Sequence, residues 1–210
     1  RSFLGTERVA TMRNYKELAA LVMVLAVLLT MGFVATSGRI AKQTLCADHL
    51  RRIYAKNVSY QNDHGRLPPV WVEGRPWRFW SDHLRSYTDS DRIFCCPADP
   101  RVALMFQGND PLFSFERISR TSYGMNARLN TQRPGISVTL SSLRHPNVFI
   151  FYGDGTRFLR MPNEIGIPRH SRKAQYLFGD GHVALKGLSE LRRKLPDGRW
   201  HFNNLNWHPW

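Results

Sequence analysis

Histidine and aspartate gather late in the chain, in the run RHSRKAQYLFGDGHV that holds His170, Asp180 and His182. Asp154 ends the apolar stretch NVFIFYGD before it. Imidazoles and carboxylates brought to one end of a hairpin could bind a divalent cation or pass a proton. The same residues have a plainer reading. Aspartate suits the turn in which Asp180 sits, and His170 can cap or brace a strand through a hydrogen bond. Ser122, Ser142 and Ser171 stand outside any nucleophile-elbow or Ser-x-x-Lys context, and the chain has no phosphate-cradling glycine loop and no H-E-x-x-H. A metal-dependent hydrolase built on His170, Asp180 and His182 is carried as an alternative. The reading adopted is a protein with no catalytic residue, no metal and no cofactor.

Cysteine is used sparingly, at Cys46, Cys95 and Cys96. The adjacent pair is too close for C-x-x-C redox or zinc spacing. In an oxidising compartment Cys46 could pair with Cys95 or with Cys96, leaving one thiol over. Basic residues outnumber acidic ones 30 to 16, a formal charge of +14 dispersed along the chain. Such a surface favours polyanions, DNA or an acidic glycan, and is otherwise a solvated basic face. Arg51, Arg52, Lys56, Arg75, Arg78, Arg192, Arg193 and Lys194 could form a stripe, with Trp77 and Trp80 between the charges. An anchored binding module for such a polyanion is the second alternative. A hydrophobic fraction of 42%, with 6 Trp and 12 Phe, suffices for one ordered domain.

These residues need elements to hold them. The organising element is the apolar run Leu18 to Val34, LAALVMVLAVLLTMGFV. As a helix it spans about 25 Å, close to the roughly 30 Å of a bilayer core. It is apolar on every face, unlike a helix that buries one stripe. A buried core helix and a cleaved signal peptide are the other two readings. Arg13 and Lys16 before the run and Arg39 and Lys42 after it suit lipid head groups. The helix is expected over 14–62, with Asn14 as N-cap, Glu17 at the capping-box position and residues 1–13 as a leader. Ser37-Gly38 is the place for a bend. Beyond it Ile40, Leu45, Leu50, Ile53, Tyr54 and Val58 recur at spacings near three and four, a stripe that should lie on the globular part, 63–210. Asp63-His64-Gly65 and then Pro68-Pro69 stop the helix. Residues 80–87 read as a short helix, FCCPADP as a turn, and TSYGMN and NVFIFY as strands. AQYLFGDGHVALK reads as two strand arms about a tight Asp-Gly turn, both central residues taking positive φ. A short helix over 189–194 and an aromatic tail to Trp210 close the chain.

The order of these pieces is itself a signal. LCADHLRRIYAKNVSYQNDHGRLPP, FCCPADP, TSYGMN, HPNVFIFYGD and RHSRKAQYLFGDGHV follow one another within 15–187. Together they resemble the prepilin-type proteins, of type IV pilin or type II secretion pseudopilin layout, whose C-terminal part carries a His, nine residues and then Asp-Gly. Here that signature is His170, Asp180 and Gly181. The resemblance implies an α+β pilin-like fold: a long N-terminal helix, half membrane anchor and half amphipathic, on a small antiparallel sheet, with the signature hairpin at 170–187. It implies a non-catalytic structural subunit of a secretion or surface-fibre apparatus, anchored once in the inner membrane with its C-terminal part periplasmic or extracellular. The partners would be other pilin-like subunits, met through the N-terminal helix. Glu17 stands where such proteins place the glutamate that sets subunit register. The stretch MRNYKELAAL has no glycine at the family's cleavage point, with Arg13 as the residue after it.

Overall fold

The computed structural model describes residues 4–73, 78–101, 121–130, 137–155, 158–159, 166–194 and 200–202, with the backbone alone at 4–16, 158, 188, 192–194 and 200–202. The first element, α1, is a 61-residue helix, Leu4–His64. It starts before the expected N-cap at Asn14, because ERVATMRNYKEL contains no proline or glycine to stop it. It also runs through Ser37-Gly38 with its helical assignment intact. The chain divides into two compact units, Arg1–Ala41 and Lys42–Trp210.

The first unit is helix throughout its described residues. Every side chain from Glu17 to Ala41 is exposed, and the large apolar ones between Leu18 and Val34 are 54–74% exposed. Among the described residues one helix, α1, is long and apolar enough to cross a membrane, with a mean hydropathy of 2.7 in its most apolar window and none of that window buried. Its few hydroxyls turn back on the helix. Thr30 donates to the Val27 carbonyl at 2.9 Å, Ser37 to that of Phe33 at 2.9 Å, and Thr36 to that of Gly32. Such bonds satisfy these three hydroxyls within the helix, which is what hydrocarbon requires.

The second unit is α+β. Residues 42–64 of α1 bury a stripe made of Cys46, His49, Leu50, Ile53, Asn57 and Tyr60. That stripe corrects the expected one. Leu50 and Ile53 belong to it, Tyr54 and Val58 flank it half-buried, but Ile40 and Leu45 are exposed. Gly65 ends the helix in the left-handed conformation at φ +67°, its N–H bonded to the Gln61 carbonyl, as a helix-terminating glycine does. Two short strands, β1 (Trp71–Val72) and β2 (Arg78–Phe79), pair before a small helix α2, Trp80–Leu84, extended by a 3-10 turn over Arg85–Tyr87. The main sheet has five strands: β3 (Tyr123–Asn126), β4 (Ile150–Asp154), β5 (Phe158–Leu159), β6 (Lys173–Phe178) and β7 (Val183–Gly187). Their spatial order is β5-β3-β4-β6-β7, antiparallel throughout except for the parallel edge pair β3–β5. A four-residue helix α3, Leu188–Leu191, leads into β8 (Arg192–Lys194), which pairs with β9 (Trp200–Phe202). The helix expected over 189–194 is therefore half strand, and most of the aromatic tail, 203–210, lies outside the described residues.

The sheet is buried on both faces. One side carries Tyr123, Met125, Phe151, Tyr152 and Leu177, packed with Phe149 and the stripe of α1; the other carries Ile150, Leu159, Ala174, Tyr176 and Phe178, packed with Leu191 of α3. Strict alternation would put Phe151 and Tyr152 on opposite faces. They share one because β4 holds an extra residue: Ile150 faces Phe178, yet Tyr152 already faces Leu177. This bulge re-phases the strand. It turns Tyr152 and Asp154 toward the helix side and Gly153 toward Tyr176, whose ring lies 2.7 Å from where a Cβ on Gly153 would stand.

A buried cluster of two thiols, a carboxylate and an imidazole

Four residues far apart in sequence meet under α1. Cys46 comes from the helix, and Cys96 from the turn that follows a 3-10 segment over Asp91–Phe94. Asp154 is the last residue of β4, placed by the bulge. His170 comes from the turn before β6, where it bridges Lys173 through two backbone hydrogen bonds of 2.9 Å. The two residues inside that turn, Ser171 and Arg172, hold φ of +51° and +66°, a left-handed pair in which neither is glycine. Each costs free energy on the order of 1 kcal/mol, a cost borne where the chain must aim a side chain.

The ligand-bearing atoms all lie within 4.8 Å of one another, and all four residues are buried. Cys96 Sγ is 3.4 Å from His170 Nε2; that same nitrogen is 3.5 Å from Asp154 Oδ2; Cys46 Sγ is 3.7 Å from Asp154 Oδ1. Around them the Tyr123 hydroxyl donates to Cys46 Sγ at 3.3 Å and the Gln175 backbone N–H to Asp154 Oδ2 at 2.7 Å. The Arg169 guanidinium stands 3.6 Å from Asp154 Oδ1. Hydrogen bonding from Cys46 lowers the Cys96 thiol to about 5, against burial and with help from His170. Cys46 is pushed up by that same bond and by burial. Burial and the Cys96 charge raise Asp154 to about 7 against Gln175, His170 and Arg169. Burial lowers the basicity of His170, but its contacts with Cys96 and Asp154 raise it by more. The cluster thus favours a thiolate on Cys96 beside a protonated His170.

A cysteine, a histidine and an aspartate in contact invite comparison with a nucleophilic triad. There the base takes the thiol proton on one ring nitrogen while the carboxylate holds the other. Here Cys96 and Asp154 both approach Nε2, so the imidazole cannot relay between them. Cys46, Cys96 and Asp154 are fully buried, which gives a substrate no approach.

The expected residues divide between two places. His170 and Asp154 enter the cluster; Asp180 and His182 do not, so the set proposed for a hydrolase is not brought together. Asp180 is exposed, accepts from the His182 N–H at 3.1 Å and lies 2.6 Å from His182 Nδ1. The His182 ring stacks on Phe178 with 4.2 Å between centroids. Only Gly181 of that turn takes positive φ, +91°. The loop is a three-residue one closed by Gly181 N–H to the Phe178 carbonyl and Phe178 N–H to that of His182, in place of the two-residue turn expected. Its backbone docks on α1: the Tyr54 hydroxyl donates to the Gly179 carbonyl at 3.2 Å, and the Tyr54 ring lies 2.9 Å from a Cβ built on Gly181.

Cys46, Cys95 and Cys96 all carry thiols, and Cys46 meets Cys96 rather than Cys95. Cys95 turns away; its carbonyl faces His49 Nδ1 at 3.0 Å, and burial pushes its thiol up to about 12. Glu17 is exposed at the N-terminal edge of the apolar run. Of the proposed basic stripe, Arg51, Arg52 and Arg78 are exposed, but Trp80 is fully buried against Phe94 and Tyr152 and offers no stacking face. Arg75 and Trp77 lie outside the described residues, as do the side chains of Arg192, Arg193 and Lys194. Residue types missed Tyr123, Arg169 and Gln175. For Arg169 a signal existed in its position next to His170. No family model, curated protein or solved structure matches the chain.

Proposed function

We propose that the chain is a membrane-anchored, non-catalytic structural subunit of pilin-like type, belonging to a secretion or surface-fibre apparatus. One observation carries this reading. The single helix α1 supplies both an apolar segment exposed on all sides and, from Cys46 to Tyr60, the buried stripe of a folded α+β unit. Seventeen residues from Leu18 to Val34 left apolar on every face find their solvent in lipid or in the same segment of a neighbour. The ordered pieces shared with prepilin-type proteins support the same reading, and so does the use of His170, Gly181 and Asp154 in packing rather than in an open cleft. Helix-to-helix packing of the apolar segments would drive assembly, with Glu17 at the edge of the hydrocarbon as the group whose pairing sets the register.

The test is made on the full chain expressed in bacteria. It is expected to stay with membranes through salt and alkaline carbonate washes, to leave them only in detergent, and to cross-link into ladders or appear as filaments in electron micrographs. Recovery as a monomer in the soluble fraction without detergent overturns the proposal.

A further inference from the structure

We propose that Cys46, Cys96, Asp154 and His170 are the four ligands of a closed, structural divalent metal site of the zinc class, which fastens α1 to β4 and to the turn before β6. The inference does not depend on the anchored-subunit reading; it concerns the second unit alone.

Geometry is the first ground. A tetrahedral zinc ion with bonds of about 2.3 Å to sulfur and about 2.0–2.2 Å to nitrogen and oxygen sets its ligand atoms about 3.3–3.8 Å apart. Three of the six separations in the cluster are 3.4, 3.5 and 3.7 Å, and all six are within 4.8 Å. The convergence of Cys96 and Asp154 on one nitrogen, which defeats a proton relay, is what a shared metal demands. Asp154 presents Oδ1 to Cys46 and Oδ2 to His170, so a small carboxylate rotation brings a single oxygen to the centre.

Charge is the second ground. Cysteines ligate such an ion as thiolates, so the occupied site brings two thiolates and a carboxylate, three negative charges, into a buried space. Arg169 answers one of them, and a divalent cation answers the other two. The second carboxylate near Arg169, Asp99, has its own partner in Arg101 at 2.7 Å. Two thiolates with one imidazole select a borderline-soft ion over magnesium or calcium. Binding releases the remaining thiol and imidazolium protons to solvent.

The surroundings are the third ground. Tyr123 donates to one thiolate, the Gln175 N–H holds the carboxylate, and Arg169 flanks it, a set of outer partners such as orient metal ligands. The four ligands come from four separate stretches of the chain, so one ion would fasten together segments far apart in sequence. Four protein ligands and no exposure make the site structural rather than catalytic.

The experiment uses the full chain in detergent, purified under reducing conditions without chelator or metal-affinity resin. Elemental mass spectrometry is expected to find about one zinc-class ion per chain. After exchange into cobalt, the protein should show the intense visible bands of a tetrahedral ion and a thiolate-to-cobalt charge-transfer band. Cys95→Ser should retain both signals; Cys46→Ser and Cys96→Ser should each lose the ion or the charge-transfer intensity. The proposal is overturned by a folded wild-type chain with neither metal nor cobalt spectrum, by a Cys46–Cys96 disulfide found on thiol titration, or by full metal content in the Cys46→Ser/Cys96→Ser double variant. Should the serine variants fail to fold, the wild-type spectrum decides alone. A membrane-bound chain without the metal would sink this inference and leave the anchored-subunit reading standing; a soluble chain with the metal would do the reverse.

Discussion

Arg169 follows directly from Pro168 and precedes His170, and its side chain is 4% exposed between two buried carboxylates. Its Nη2 lies 2.9 Å from Asp99 Oδ2, its Nη1 lies 3.6 Å from Asp154 Oδ1, and it donates to the carbonyls of Ser122 and Gly155. Breaking such a pair on one side is costly, because the partner stays buried with its charge. Burial alone would raise the Asp99 carboxyl. The bidentate Arg101, then Arg169 and the Ser122 hydroxyl, outweigh it and hold Asp99 at about 2. A carboxylate whose folded value is depressed stabilises the fold above its unfolded value, about 4, and loses that contribution as pH falls through the folded one. Asp99→Asn is therefore expected to cost roughly 1–3 kcal/mol at neutral pH. The gap between wild type and variant should be full above about pH 4 and should close toward about pH 2, read from denaturant melts across that range. A gap that stays constant with pH would mean that the charge on Asp99 contributes nothing to stability.

At the scale of elements, the bulge in β4 decides where Asp154 points. Paired without the bulge, the same sequence would alternate from Ile150 and send Tyr152 and Asp154 to the face of Ile150 and Phe178, away from Cys46 and His170. Gly153 sits between those two side chains and opposite Tyr176, so a methyl there meets a buried ring at 2.7 Å. Gly153→Ala should cost about 1–3 kcal/mol by overpacking. In a Tyr176→Leu background, where the ring is gone, the same alanine should cost clearly less; equal costs in the two backgrounds, measured as a double-mutant cycle, would refute the steric account. The strands themselves were legible from β-branched and aromatic runs in NVFIFY and AQYLF. The bulge was not, because alternation is broken by two apolar residues, Phe151 and Tyr152, and a hydrophobicity pattern cannot tell which of them is extra. His49 and Asn57 on the buried stripe were missed for a related reason: each is polar, and each is buried because one specific partner meets it, the Cys95 carbonyl for His49 and the Tyr152 hydroxyl for Asn57. The cluster escaped notice because 49 residues, Ala47 to Cys95, separate its two cysteines, which therefore lack any local metal spacing. His170 and Asp180-Gly181, by contrast, mark the two ends of β6, and the nine residues between His170 and Asp180 are the strand plus its turns. It lets one strand grip α1 twice, through Cys46 at one end and Tyr54 at the other.

At the scale of the whole molecule, the two readings of the apolar run differ in what they predict for the rest of the chain. If Leu18 to Val34 were the core of a globule, charging it would unfold everything packed on it. If it is a span, charging it touches only its partition into lipid, since the second unit, Lys42–Trp210, draws its core from other residues. Leu25 and Leu28 sit near the middle of the run and are 56% and 60% exposed. Arginine at the centre of a membrane helix costs about 3 kcal/mol per residue on insertion scales, so Leu25→Arg with Leu28→Arg costs roughly 6 kcal/mol of insertion. The double variant is expected to lose most of its share in the carbonate-washed membrane fraction. Its thermal unfolding, followed by near-ultraviolet circular dichroism of the aromatic core around Trp80, Tyr152 and Phe151, should match that of the parent in detergent. Loss of the aromatic signal together with the membrane fraction would place the run inside the folded core and remove the span. A retained signal with lost membrane binding separates anchor from head, as a helix that serves lipid with one half and a sheet with the other must allow.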